Sequence, residues 1–218
     1  QDYKRAVIIG SKQTYGKGTV QNVYDLNRWL RQNDLGDMGA LKITTQKFYR
    51  INGGSTQLEG VKSDVVVPDR FSYIDIGEKD LDNPLPWDKI AAADYEVWDG
   101  YIDYDQTISN SNERMAKNKQ LQLIEENAKW IKSKQDDSVW PLNIDAYAAK
   151  MEQNEAEAKR FDELRNYESG LTFKSLPYEI KKFENDTVLK QKRERWHEDL
   201  AKDVYMDEAI NVLEDLKV

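Results

Sequence analysis

The apolar residues of this chain change their spacing once along its length, and that change bounds what it can fold into. From Arg5 to about Pro68 they come in short runs rich in β-branched and aromatic residues, cut by glycine; from Asn112 they recur at three- and four-residue steps. The first pattern belongs to strands and the second to helices that bury one face. Ala6 to Ile9 is a continuous apolar run ended by Gly10, as expected of a strand covered on both faces. Thr19 to Tyr24, Leu41 to Ile51 and the short Val65 to Val67 are the other predicted strands, with Gly36, Gly39, Gly53 and Gly54 as punctuation. A brief helical turn or irregular loop is expected around Asn27 to Gln32.

In the second half Leu121, Ile124, Ala128 and Ile131 share a helical face. Asn143 suits an N-cap, and the stripe that follows it, Ile144, Tyr147, Ala148, Met151, Ala158, Phe161 and Leu164, predicts a helix that stops by Gly170. Further helices are expected over Asp186 to Lys202 and from about Tyr205, the last burying Ala209, Ile210, Leu213 and Leu216. The expected organisation is a strand-bearing part over 1–95, a connecting region over 96–111 and a helical domain over 112–218. Tyr95, Trp98, Tyr101 and Tyr104 fall around the connection, where large aromatics bury area more often than they line a groove.

Composition removes several classes of function. A formal net charge of -8 and a pI near 4.9 argue against a protein that coats nucleic acid. With no cysteine and one histidine, His197, thiolate zinc sites, cysteine nucleophiles and multi-histidine metal sites are ruled out, and no cofactor or metal is expected. His197 reads as a helix-surface residue. The mixed charges from Lys190 to Asp199 read as a solvated helix face. No run approaches the roughly 18 apolar residues of a membrane helix. The opening QDYKRAV has no initiator Met and leads almost at once into an apolar run, so the chain reads as a fragment.

The stretch IIGSKQTYGKGTVQ looks like a phosphate loop but fails the test for one. A P-loop has four residues between its glycines and a hydroxyl residue after the lysine. Here five separate Gly10 from Gly16, and Gly18 follows Lys17. A desolvated lysine offers other chemistry, because its neutral amine can act as a general base on a serine hydroxyl. In an extended chain Lys17, Thr19 and Gln21 share a face, which aims the Gln21 amide the same way as the amine. Four strand residues span roughly 13 Å, so contact needs a bend at Gly18 or a leaning lysine. Taken alone, a lysine between glycines is more often a solvated turn residue.

The blocks QDYKRAVIIG, TYGKGTVQ, LKITTQKFYRINGGSTQLEGVKSDVVVPD and NPLPWDKI, in that order, strongly resemble the tail-specific, or carboxyl-terminal processing, serine proteases. The helical remainder, ending in DVYMDEAINVLEDL, resembles the C-terminal domain of their long members. The resemblance implies an α+β chain: part of a crotonase-like protease core followed by an all-helical domain. It implies a Ser-Lys endopeptidase with Lys17 as base, acting on polypeptides recognised at their C-termini. Gln21 is implied to orient the lysine, and Asp2 corresponds to an aspartate implicated in long members; which of the two matters more stays open. The nucleophilic serine of the family precedes the QDY block, and no serine of this chain stands there, so the fragment is expected to be inactive alone. The loop from Gly10 to Gly18 is one residue longer than the family spacing. The family's habits place such a protein in the bacterial cell envelope, in the periplasm or on a lipid anchor. The alternative function is a binding module, the helical half docking an adaptor or the rest of the protease.

Overall fold

The computed structural model describes residues 1–29 and 36–216. Among these the strands are β1 (Ile9–Gly10), β2 (Thr19–Asp25), β3 (Ala40–Lys47) and β4 (Val65–Val66). The helices are α1 (Tyr104–Lys117), α2 (Lys119–Asp136), α3 (Ile144–Lys159), α4 (Pro177–Phe183), α5 (Thr187–Ala201) and α6 (Val204–Asp215). The result is a mixed chain with small sheets and a helical C-terminal region. It divides into two compact units, one of Gln1–Ile8, Lys12–Ser63 and Asp75–Tyr101, the other of Ile9–Ser11, Asp64–Ile74 and the chain from Ile102.

The first unit is organised by β2 and β3, an antiparallel pair running from Thr19↔Lys47 to Asp25↔Ala40. Pairing passes from Val20↔Gln46 to Gln21↔Thr44, so Thr45 is an extra residue on β3. Such a bulge bends its strand and sharpens the local twist. A short 3-10 turn, Leu26–Trp29, follows β2; the rest of the turn expected up to Gln32 lies outside the described residues. Tyr3 meets the Tyr95 ring edge-on at 5.5 Å, and the Trp98 amide donates to the Tyr3 carbonyl at 3.0 Å. Two of the expected aromatics thus pack or anchor locally, while Tyr101 is exposed. What is buried in this unit is polar: Thr19, Ser55, Gln57 and Glu78. Val20, Val23, Leu41 and Ile43 of the hairpin stay exposed.

The second unit holds the buried apolar side chains of the described residues: Val65, Val67, Leu121, Ala128, Phe161, Val204 and Val212. Here β1 runs parallel to β4, Ile9 beside Val65. The expected strand from Ala6 is therefore short, and Val7 to Ile9 are only half-buried. A parallel strand gains full cover from neighbours and helices on both faces, and β4 is its only ladder partner among the described residues.

Helix formation follows the caps. Asp103 accepts from the Gln106 amide and starts α1 at Tyr104, earlier than the expected Asn112. Asn118 ends α1 and caps α2, accepting from the Gln120 and Leu121 amides at 2.9 and 3.1 Å. Asn143, Asp186 and Asp203 cap α3, α5 and α6 in the same way. α4 was not read from the sequence; Pro177 at its first position has no amide to waste there. The face of α6 also differs from expectation. Val204, Glu208 and Val212 are buried and Leu213 is exposed, because the helix turns a carboxylate inward. Glu208 accepts from Ser111 Oγ at 2.7 Å and from Arg114 Nη2 at 2.8 Å, both on α1. Arg114 Nη1 also lies 2.7 Å from Asp215 Oδ2, an ion contact without hydrogen-bond alignment. On α5, Lys190 and Glu194 stand 3.9 Å apart and exposed, the solvated pair the sequence suggested.

Trp130 of α2 packs on Phe161 with ring centroids 5.6 Å apart, and its Nε1 donates to Glu157 Oε2 of α3 at 3.0 Å. Lys134 Nζ lies 2.8 Å from the same oxygen. The hydrogen bonds from Lys134, Trp130 and Gln153 hold the Glu157 carboxyl down at about 2. A depressed carboxylate contributes stability above its unfolded value and loses it as pH falls through the folded one. The α2–α3 contact is thus expected to keep its full strength above the ordinary glutamate range and to weaken from there down to about pH 2. The indole N–H resonance of Trp130, followed by NMR through an acid titration, checks this; Glu157→Gln removes the transition.

Candidate active site

The loop that carries Lys17 is laid against the segment Ser55–Val61. The Thr14 amide donates to the Val61 carbonyl at 3.0 Å, and the Leu58 amide donates to the Gly16 carbonyl at 2.7 Å. Gly16 has φ +88, a left-handed conformation that suits glycine. At Gly18 a Cβ would stand 2.5 Å from the Gln57 nitrogen and 2.7 Å from Ser55 Oγ. Gly18 is therefore there because another backbone passes too close for a side chain. Its amide donates to Gln57 Oε1 at 2.9 Å, so it is not available to a phosphate, which agrees with the failed P-loop.

Lys17 itself is exposed, between the buried backbones of Gly16 and Gly18. Its Nζ donates to Gln21 Oε1 at 2.8 Å. The distance that an ideal strand would put between residues 17 and 21 is closed in two ways. Lys17 precedes β2 rather than lying in it, and Gln21 sits where the ladder shifts at the bulge. Asn22 Nδ2 donates to Oγ1 of Thr45, the extra residue, at 2.7 Å, which fixes the bulge next to Gln21.

Asp2 is engaged elsewhere. Its two carboxylate oxygens accept from Arg50 Nε at 2.9 Å and Nη2 at 2.6 Å, and Oδ1 also accepts from Asn52 Nδ2 at 3.0 Å. Arg50 Nη2 donates in addition to Gln1 Oε1 at 2.9 Å. This is the fork geometry in which arginine holds a carboxylate firmly. Asp2 thereby ties the first residues to the turn after β3. Of the three residues singled out from the sequence, the structure joins Lys17 with Gln21 and gives Asp2 a different set of partners.

The sequence reading missed Thr56 and Gln57. Thr56 Oγ1 donates to the Lys17 carbonyl at 3.0 Å. Gln57 is fully buried, and its Nε2 donates to Glu78 Oε1 at 3.2 Å and to the Leu85 carbonyl at 3.1 Å. The one signal available was that both belong to the GGSTQ block, where three polar residues follow a glycine pair. Ser55, in the same block, accepts from the Gln57 amide at 3.0 Å and is buried; Ser11 is an exposed residue beside β1. Among the described residues no group of three or more His, Asp or Glu is placed to hold a metal ion, and no helix is long and apolar enough to cross a membrane.

Comparison with known proteins bears on the family of the chain. Residues 1–67 match peptidase family S41, and residues 71–218 match the C-terminal domain of tail-specific protease. A tail-specific protease of Haemophilus influenzae is 40% identical over 168 residues, which are 75% of this chain and 24% of that protein. A carboxy-terminal-processing protease of Bartonella bacilliformis is 38% identical over 87 residues, 37% of this chain and 18% of that protein. The chain thus spans about a quarter or less of the length of these relatives.

Proposed function

The chain belongs to the tail-specific protease family of S41 peptidases, of which it is a C-terminal part, and from that premise we propose that Lys17 is the general base of a Ser-Lys endopeptidase. The observation that carries the reading is the 2.8 Å hydrogen bond from Lys17 Nζ to Gln21 Oε1, on a loop whose backbone is pinned on both sides of the lysine. The nucleophilic serine comes from a segment outside residues 1–218. The strands around Lys17 then form part of a crotonase-like core, whose remainder covers the lysine and the exposed Val20, Val23, Leu41 and Ile43.

In the proposed reaction the serine oxygen bonds to the scissile carbonyl carbon while the carbonyl electron pair moves onto its oxygen. The hydroxyl proton passes to the neutral Lys17 amine, and Lys17 then delivers it to the leaving nitrogen as the C–N bond breaks. Backbone amides outside this chain stabilise the oxyanion. Water, deprotonated by the same amine, releases the acyl group and restores the serine. Gln21 accepts one N–H of Lys17 and so fixes where the amine points. Substrates are polypeptides recognised at exposed apolar C-termini, and the setting is the bacterial cell envelope, in the periplasm.

The test is an internally quenched peptide with a free apolar C-terminus, cleaved by the intact protease. Gln21→Leu is expected to lower kcat roughly tenfold, the effect of losing one group that orients the base. Unchanged kcat in that variant removes Gln21 from the site.

A second reading concerns recruitment and rests on a separate observation. Val139, Leu142 and Ile144 are exposed at 77%, 104% and 74%, and with Trp140, Tyr147 and Met151 they form an apolar stretch leading into α3. An adaptor docking there would bring substrates to the protease. Substitutions in that stretch that spare cleavage of the short peptide and slow degradation of whole proteins would mark it as such.

A further inference from the structure

The peptide group joining Lys17 to Gly18 is held at both ends by the side chains of two consecutive residues. Thr56 Oγ1 donates to its carbonyl oxygen at 3.0 Å, and Gln57 Oε1 accepts from its N–H at 2.9 Å. The next residue completes the set, since the Leu58 amide donates to the Gly16 carbonyl at 2.7 Å. Both peptide planes that flank the Lys17 Cα are thus fixed by residues 56 to 58. With φ and ψ of Lys17 fixed, the direction of its Cα–Cβ bond is fixed too.

Resting on the reading of Lys17 as base, we propose that Thr56 and Gln57 are positioning residues that hold the backbone of the catalytic lysine, and that Glu78 holds Gln57 in turn. Lysine has a long flexible stem, and Gln21 constrains only its tip. A base whose root can drift samples many positions of its amine, and misplacement by about 1 Å can cost roughly 100-fold in rate. A lock at the root removes that freedom.

Gln57 is suited to the task by its burial and its wiring. Burying an amide is costly unless its groups are hydrogen-bonded. Here Oε1 faces a donor, the Gly18 amide, and Nε2 faces two acceptors, Glu78 Oε1 and the Leu85 carbonyl. The amide can therefore sit only one way round. A carboxylate in its place would meet Glu78 and the Leu85 carbonyl with no proton to offer. Glu78 is itself fixed, its amide donating to the Tyr15 carbonyl at 2.8 Å, so the brace returns to the loop that carries Lys17. Close approach makes the arrangement possible, because Gly18 leaves room for no Cβ at the crossing.

Thr56 gives the cleaner test, as it is only half-buried and its replacement by valine changes shape little. In the intact protease, with the internally quenched peptide, Thr56→Val is expected to lower kcat roughly tenfold with KM and melting temperature unchanged, and Thr56→Ser, which keeps the hydroxyl, to stay within about twofold of the parent. Gln57→Leu is expected to lose roughly 100-fold where it folds. Equal kcat in Thr56→Val and the parent overturns the inference, as does an equal loss in Thr56→Ser. Lys17→Ala, run in parallel, separates the two levels. Cleavage that survives Lys17→Ala refutes the base itself, whereas cleavage lost in Lys17→Ala but untouched in Thr56→Val refutes only the positioning role.

Discussion

Lys17→Ala in the intact protease is expected to lower kcat for peptide cleavage by about a thousandfold or more while leaving KM and the folded structure unchanged. The size follows from the chemistry. General base catalysis by a positioned group is worth roughly 100- to 10,000-fold, and a serine hydroxyl with no base beside it is a poor nucleophile. The fold is expected to survive because the Lys17 side chain bonds only as far as Gln21 on the strand that follows it, four residues on, and ties no distant segment to the loop. The loop keeps its shape through backbone and neighbouring side-chain bonds that alanine does not disturb. Lys17→Arg is expected to fail nearly as badly, since a guanidinium stays protonated and cannot take the serine proton. Parent-like rates from either variant, measured under single-turnover conditions, would remove Lys17 from the chemistry.

Arg114→Met is expected to have the largest effect on stability, a loss of about 3 kcal/mol in the helical unit, read from urea unfolding followed by far-UV circular dichroism. Glu208 is almost wholly buried, at 3% exposure, and Arg114 is the cation that accompanies it. Removing the arginine leaves a buried carboxylate with Ser111 as its hydrogen-bond donor. Glu208→Gln should cost less, because the amide oxygen can still accept from Ser111 and Arg114 and no unpaired charge is left inside. The double variant with methionine at both positions should recover much of the loss, the behaviour of buried ion pairs replaced by apolar side chains. Full additivity of the separate losses in Arg114→Met and Glu208→Met would show that the residues do not act on each other.

Several features were legible in the residues alone, and each was a local one. The strands β2 and β4 and the helices α3, α5 and α6 could be read because alternation, three- and four-residue spacing and capping residues operate over a few positions. Lys17 and Gln21 stand only four residues apart, and their contact needed no more than a start before β2 and the bulge beside Gln21. The strand expected from Ala6 extends less far than its apolar run suggests, since ladder length depends on a partner, and β4 is only two residues long.

What could not be read depends on residues far apart in the chain. Thr56 and Gln57 reach Lys17 and Gly18 across 39 residues, and a buried glutamine in a Gly-Ser-Thr stretch gives no periodic sign of what it will brace. Asp2 could be matched to a family position, but its partner Arg50 lies 48 residues away, and only the fold brings the two together. On α6 the apolar pattern favoured Ala209, Ile210, Leu213 and Leu216, yet the inward face carries Glu208, because Arg114, 94 residues earlier, is there to neutralise it. The sequence by itself determined the family, the order of strands before helices, and the lysine with its nearest amide, all of which rest on short-range chemistry. The tertiary structure decided which polar groups are buried and which backbone the lysine is fastened to. Burying a charge or an amide is favourable only when its partners arrive, and those partners are delivered by the fold rather than by the neighbouring residues.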